Sequence, residues 1–222
     1  MGNQNRIFKD RIYEQLSRIG KGISSPKRLE LLEILCQGKR TVEELARETN
    51  LTIANASQHL QVLRAARLVE SQKEGLYVAY RLADQLVGDF LRQFRILAEN
   101  RLAEMERISR DFLKEKKGME EIDGETLWKR IRKGTAILLD VRPIEEYRER
   151  HIKGSLSVPL KELKNYLPNL SRKQEIAAYC RGPYCVLAVQ AVEIMRKKGF
   201  KAFRLKDSVQ DWEAKGFPVV SG

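Results

Sequence analysis

The chain is short of cysteine and histidine. Its 222 residues include three cysteines, Cys36, Cys180 and Cys185, and two histidines, His59 and His151. An odd, low cysteine count argues against a disulfide framework. The histidines lie too far from the cysteines for zinc-ligand spacing, so no metal or other cofactor is expected. Long apolar runs are missing too. None approaches the ~18 residues of a membrane helix, and the opening MGNQNRIFKDRIYEQ lacks the apolar core of a secretory signal. A cytoplasmic protein without a membrane partner is expected. Acidic residues run short of basic ones, 30 against 42, for a net charge of +12 and a pI near 9.7. Such an excess favours polyanions, nucleic acid first, through the counterions released when phosphates are neutralised. Residues 1–120 carry +5 and residues 121–222 carry +7, so charge alone does not locate a nucleic-acid surface.

What is present excludes disorder as the overall description. Hydrophobic residues make up 42% and charged residues 32%, enough for a solvated core, and the length suits one large domain or two small ones. Periodicity separates two unlike halves. Ile7, Ile12, Leu16 and Ile19 space a first helix that Gly20 and Gly22 are expected to end. Pro26 opens a second, with Leu29, Leu32 and Leu35, up to Gly38. Thr41-Val-Glu-Glu44 has capping-box spacing for a third. Asn50-Leu51 makes a turn, and Thr52 caps a fourth helix to about Ala66. Two β-like stretches, Leu68–Ser71 and Leu76–Leu82, flank the turn Lys73-Glu74-Gly75. One long helix is then expected over 84–117, its stripe running from Leu86 and Phe90 to Ile108 and Phe112. At 1.5 Å per residue it would be roughly 50 Å long. An apolar stripe of that length calls for a second surface, either the same helix of a partner subunit or its own domain, and the homodimer through residues 84–117 is preferred.

Residues 118–124, short and polar, read as a linker. After it come three buried-strand runs, 136–141, 175–180 and 201–205. Helical stretches at about 126–132, 143–150, 160–166, 185–198 and 208–215 lie among them. Strands alternating with helices imply a mostly parallel sheet covered by helices.

The third and fourth helices make a helix-turn-helix and the hairpin a wing. Between Glu48 and Glu70 no acidic residue occurs, as suits a helix flanked by phosphates in the major groove. At 100° per residue Ala56, Leu60 and Leu63 face the core. Ala54, Gln58, Gln61 and Ala65 lie opposite, flanked by Asn55, Ser57 and Arg64. Small residues allow close approach, and Gln and Asn amides pair bidentately with adenine. A polar solvent face on an ordinary bundle has the same pattern. His59, on the shoulder of the core face, reads as a packed residue.

The stretch from LEILCQGKRTVEELARETN through SQHLQVL to LVESQKEGLYVAYRL resembles the winged helix of the ArsR family of bacterial repressors, over about residues 15–110. The resemblance implies a dimer on a double-stranded DNA operator. The fourth helix, Thr52 to Arg64, would read bases, and Lys73 and Tyr77 of the wing would lie along the minor groove or backbone. Many relatives sense metals through paired cysteines or through residues of the last helix. Here Cys36 stands alone among leucines, and the last helix has neither Cys nor His, which disfavours metal sensing.

In the second half the strand EIAAY runs into Cys180-Arg-Gly-Pro-Tyr-Cys185 and at once into the helix VLAVQAVEIM. A thiol between a buried strand's end and a helix start meets free amides and the positive end of the helix dipole, and Arg181 adds a charge. These lower a thiol pKa and favour the nucleophilic thiolate. The blocks DVRP…HIKGSLSVP, the cysteine loop and FRLKDSVQDWEAKGFPV resemble a single rhodanese domain over about residues 120–222. The resemblance makes Cys180 the carrier of a persulfide received from a sulfane-sulfur donor such as thiosulfate or a persulfide. It places Asp140 and Arg142 below the site, in a supporting role or as a structural ion pair, and makes His151 structural. The loop departs from the family pattern. Gly182 stands two residues after the cysteine rather than three, Pro183 removes an amide, and Cys185 replaces a frequent basic or hydroxyl residue. Asp207-Ser208 replaces the frequent Gly-Gly ahead of Trp212. These departures argue against ordinary multiple-turnover thiosulfate activity. They suggest that Cys185 attacks the Cys180 persulfide, leaving a disulfide or trisulfide. A related phosphatase or arsenate-reductase role needs an arginine six residues after the cysteine, where Val186 stands.

The expected protein is therefore a mainly α winged helix-turn-helix domain (1–117), a linker (118–124) and an α/β parallel-sheet rhodanese-like domain (125–222). It is read as a repressor that couples sulfur status to operator binding. The alternative is a sulfurtransferase enzyme with an autoregulatory DNA-binding half.

Overall fold

Apolar side chains recurring at helical spacing build the first of two units, which ends at Leu91. The computed structural model describes residues 2–116 and 119–221. Helix α1 (Gly2–Ile23) runs through Gly20 and Gly22, where the sequence predicts its end. Close packing explains the second glycine, since a Cβ there would sit 2.9 Å from that of Ala66. Helix α2 (Pro26–Leu35) opens on a proline whose missing N–H costs nothing in a first turn. A short strand β1 (Arg40–Thr41) leads into α3 (Val42–Glu48) and, across a turn, α4 (Ile53–Ala65). Both expected caps are present. Glu44 N donates to Thr41 Oγ1 at 3.3 Å and Thr41 N to Glu44 Oε2 at 2.8 Å, while Asn55 N donates to Thr52 Oγ1 at 3.2 Å. Asn50 turns the chain at φ 53°, a conformation asparagine tolerates.

Leu31, Leu32, Leu45, Ala56, Leu60 and Leu63 are fully enclosed in this unit's core. The wing pairs β2 (Val69–Glu74) with β3 (Tyr77–Leu82) in antiparallel register, from Val69 opposite Leu82 to Glu74 opposite Tyr77. Strand β1 adds to its far side, giving the order β1-β3-β2. A two-residue strand carries no readable period, and the sequence did not announce it.

The boundary between the units falls within α5 (Gln85–Arg101). The single helix expected over 84–117 is corrected to two, because Leu102 leaves helical geometry (φ −113°, ψ 93°) before α6 (Ala103–Glu115). Asn100 Nδ2 donates to the Ile96 carbonyl at 2.8 Å, drawing an acceptor away from regular helix surroundings. Glu104 and Glu106 then suit the positive start of a new helix.

Lys117, at the end of the expected helix, and Gly118, at the start of the expected linker, lie outside the described residues. The rest of that linker is built into the second unit. Met119 is buried, Glu121–Ile122 form strand β4, and Asp123 caps α7 (Gly124–Arg132) by accepting from Thr126 N at 2.9 Å. Pairing with a strand some 80 residues later decides this, and local composition does not show it.

The second unit continues with β5 (Ala136–Asp140), α8 (Ile144–Glu149), β6 (His151–Ile152), β7 (Leu156–Ser157), α9 (Leu163–Tyr166) and β8 (Glu175–Tyr179). It ends with α10 (Val186–Lys197), β9 (Ala202–Leu205), α11 (Val209–Ala214) and β10 (Val219–Val220). Five parallel strands lie in the order β4-β9-β8-β5-β7. Alternate residues enter two cores. Leu139, Ile176, Ala178 and Ala202 pack on one face, and Leu138, Ala177, Tyr179 and Phe203 on the other. Burial on both faces is why these strands read as continuous apolar runs.

Candidate functional site

Placing Ala56, Leu60 and Leu63 in the core turns the opposite side of α4 outward. Ala54, Asn55, Gln58, Gln61 and Arg64 are exposed, as is Thr52 at the cap, and Ser57 is half-buried. The face contains no carboxylate. Arg64 Nη1 donates to Ser71 Oγ at 3.0 Å, tying the helix to the wing. Lys73 and Tyr77 are exposed on the hairpin, whose tip carries Leu76 at 96% exposure. The predicted DNA-facing residues thus occupy one helix face and its adjoining wing. His59 is half-buried at the shoulder.

Cys36 follows α2. Burial, with Glu33 adding to it, pushes its thiol up to about 12, so it is protonated at neutral pH. In the reduced protein, iodoacetamide at pH 7 is expected to leave Cys36 unmodified while it labels the loop cysteines, counted by peptide mass. Equal labelling of all three would remove the distinction.

Strand β8 delivers Cys180 to the carboxyl edge of the sheet, and Cys185 is the residue before α10. The two are joined as a disulfide, with Cα atoms 6.3 Å apart, inside the span such bonds bridge. Cys180 is only 2% exposed and its Sγ lies 3.5 Å from the Cys185 carbonyl; Cys185 is half-buried. Gly182 holds φ 156° within the loop, and Cys185 N donates to its carbonyl at 3.2 Å.

Charges around the loop are paired. The Arg181 guanidinium turns to the fully buried Glu146 of α8, with Nη2 2.5 Å from Oε1 and Nε 3.2 Å from both oxygens. Asp140, at the end of β5, meets Arg142 through Nε–Oδ1 at 2.9 Å and Nη2–Oδ2 at 2.6 Å, and both side chains are buried. Burial works against the Arg142 charge, yet the bond and charge of Asp140 hold its pKa above the ordinary value. Arg142 Nη2 also donates to the Arg150 carbonyl at 2.7 Å, so the pair ties two loops to the sheet. His151 Nδ1 lies 2.8 Å from the Tyr147 carbonyl and its ring stacks on Tyr147.

Sequence reasoning missed Arg204 and Tyr184. Arg204, in β9, is 2% exposed. Its Nη2 donates to the Pro183 carbonyl of the cysteine loop, and its Nη1 to Glu121 Oε1 at 2.7 Å. Nε is buried without a hydrogen-bond partner among the described residues. Burial pulls this guanidinium below its usual value, and Glu121 restores only part. An arginine inside the apolar run Lys201–Leu205 was the available signal. Tyr184, between the two cysteines, donates to Glu99 Oε1 of α5 at 2.7 Å. Glu99 accepts from Arg95 Nη1 at 2.9 Å, and Arg95 Nη2 and Arg92 Nε reach Asp211 Oδ1 at 2.5 and 3.0 Å. Burial would raise the Asp211 carboxyl, but Arg95, Ser208 and Arg92 hold it below the usual range. Nothing local in the sequence marks these partners.

A carboxylate-free helix with a wing, followed by a parallel sheet that ends on a cysteine loop, defines a winged-helix regulator with an appended rhodanese-like domain. Family profiles agree on both parts. The bacterial regulatory protein, arsR family, matches residues 25–71, and the rhodanese-like domain matches residues 123–215. An HTH-type transcriptional regulator of Mycobacterium tuberculosis is 36% identical over 214 residues, covering 96% of this chain and 94% of that one. The chain therefore belongs to the ArsR family of DNA-binding transcriptional regulators, in the form that carries a C-terminal rhodanese-like domain. A putative sulfur carrier protein of Bacillus subtilis is 34% identical over 35% of this chain and 42% of its own length. The solved homodimeric winged helix-turn-helix domain of a possible ArsR-family regulator from Mycobacterium bovis is 34% identical. It covers 42% of this chain and 87% of its own, with a TM-score of 0.41. Among the described residues no helix is long and apolar enough to cross a membrane.

Proposed function

We propose that this regulator represses transcription as a dimer and releases its operator when reaction with a sulfane-sulfur donor bridges Cys180 and Cys185. Thr52, Ala54, Asn55, Ser57, Gln58, Gln61 and Arg64 of the α4 segment face the major groove, and Lys73 and Tyr77 follow the backbone or minor groove. Dimerisation is supported by apolar side chains left in solvent: Phe8, Tyr13 and Leu16 of α1 and Leu86 and Leu97 of α5. Their number and size exceed what scattered surface apolars require. In the reduced loop the Cys180 thiolate attacks thiosulfate, an S–S bond forms to the outer sulfur, and sulfite leaves. Cys185 then attacks Cys180 at its sulfur, closing the disulfide and expelling hydrogen sulfide. The name borne by the Bacillus subtilis relative fits a sulfur-carrying role for this domain.

The observation that carries the coupling is the bond from Tyr184, between the cysteines, to Glu99 on α5. Bridging the cysteines fixes the loop, the loop fixes Tyr184, and Tyr184 bears on α5 through Glu99 and Arg95. Operator affinity, measured on duplex selected in vitro, is expected to fall about tenfold or more from the dithiol to the bridged form, within the usual range of coupling energies. Tyr184→Phe keeps the loop's packing but removes the bond, and it should shrink that difference to within about twofold. Equal affinities for the dithiol and bridged wild type would overturn the coupling.

A further inference from the structure

A cavity of about 380 Å³ opens beside the cysteine loop, within the second unit. Ile108 and Phe112 of α6 and Val186 and Val189 of α10 give it apolar walls, while Cys185 and Arg204 also line it. Cys180 does not line it and is 2% exposed. The volume suits a small organic molecule. The apolar walls disfavour a bare inorganic anion, which would lose hydration there without recompense. Arg204 contributes a buried Nε–H that has no acceptor among the described residues, and such a donor favours an incoming anion.

From the Cys185 wall and the buried Arg204 donor we infer that this cavity binds a small organic hydropersulfide, an apolar body ending in R–S–S⁻, and that Cys185 is the sulfur it attacks. The inference rests on the sulfane-sulfur reading above and names its donor. The terminal sulfur of R–S–S⁻ bonds to Cys185 Sγ while the Cys180–Cys185 bond breaks, and Cys180 departs as a thiolate. That thiolate attacks the newly attached sulfur and expels R–S⁻. One sulfur atom is inserted between the two cysteines as a trisulfide and one thiolate is released, so no outside oxidant or reductant takes part. The direction of attack follows exposure: Cys185 is half-buried and on the cavity wall, whereas Cys180 is enclosed.

The test uses the full chain in its disulfide form, mixed separately with benzyl hydropersulfide and with inorganic hydrodisulfide at equal concentration. Intact mass follows the gain of one sulfur atom, and absorbance follows thiol release. Benzyl hydropersulfide is expected to load about tenfold faster or more, the order set by burying one aromatic ring. Ile108→Glu, at a position 67% exposed and so tolerant of the change, should abolish that preference by placing a carboxylate on the wall. Equal rates for the two probes in the wild type overturn the cavity assignment while leaving sulfur loading itself intact. So does a preference that survives Ile108→Glu. Absence of any mass gain with either probe overturns this inference, while thiosulfate treatment of the dithiol form, which should close the disulfide and release sulfide, tests the sulfane-sulfur reading apart from it.

Discussion

Exchanging Gln58 and Gln61 together for glutamate is expected to weaken operator binding by about 100-fold or more, near 3 kcal/mol. Both side chains are exposed on α4, on a face without a carboxylate. Each substitution removes an amide able to pair with a base edge, a contact worth about 1–3 kcal/mol, and sets a negative charge among phosphates. The salt dependence of binding should become shallower as well, because fewer counterions are released. The fold should not notice, since exposed substitutions of this kind shift stability by about 0.5 kcal/mol or less. Titration of selected duplex at fixed salt, with a melting curve on the same sample, separates the two effects. An unchanged affinity would mean that α4 does not read the operator.

The second large effect lies under the cysteine loop. Asp140→Ala leaves the Arg142 guanidinium, 1% exposed, without the carboxylate it contacts through Nε and Nη2. Removing one partner of a buried pair costs about 3–5 kcal/mol, because the surviving charge stays desolvated. The loss should appear in the second unit alone. Both tryptophans, Trp128 and Trp212, pack in its core, so their fluorescence during urea unfolding reports that unit. Replacing both partners, Asp140→Leu with Arg142→Met, should recover much of the loss, since an apolar pair leaves no stranded charge. A single-mutant loss below about 1 kcal/mol would show that water or another group compensates Arg142.

How far the sequence carried depended on the range of the interaction. The capping box at Thr41 and Glu44 joins residues three apart, and it was read directly. So were the core face of α4 and the three central strands of the second sheet, β5, β8 and β9, because a period of 3.6 or an unbroken apolar run is a local property. Cys180 was legible for the same reason: its strand, loop and helix are contiguous. Arg204 was not, because its hydrogen bond to the Pro183 carbonyl spans 21 residues. Nor were Glu146, which takes Arg181 from 35 residues away, or Glu99, 85 residues from Tyr184. The break at Leu102 escaped because no proline or glycine marks it. A composition that looked like a spacer concealed β4, whose place is set by β9.

Helix α5 has a consequence for how such proteins are recombined. Its first turns, through Val87 and Leu91, belong to the core of the winged unit, while Arg92, Arg95 and Glu99 hold the side chains of Asp211 and Tyr184. A chimera that joins this C-terminal module to a foreign repressor at Leu91 would splice mid-helix. One joined at Leu102 would discard the three residues that grip the module. For a graft to keep these contacts, this helix has to travel with its own rhodanese-like module, in register, and the recipient's winged domain has to accept it.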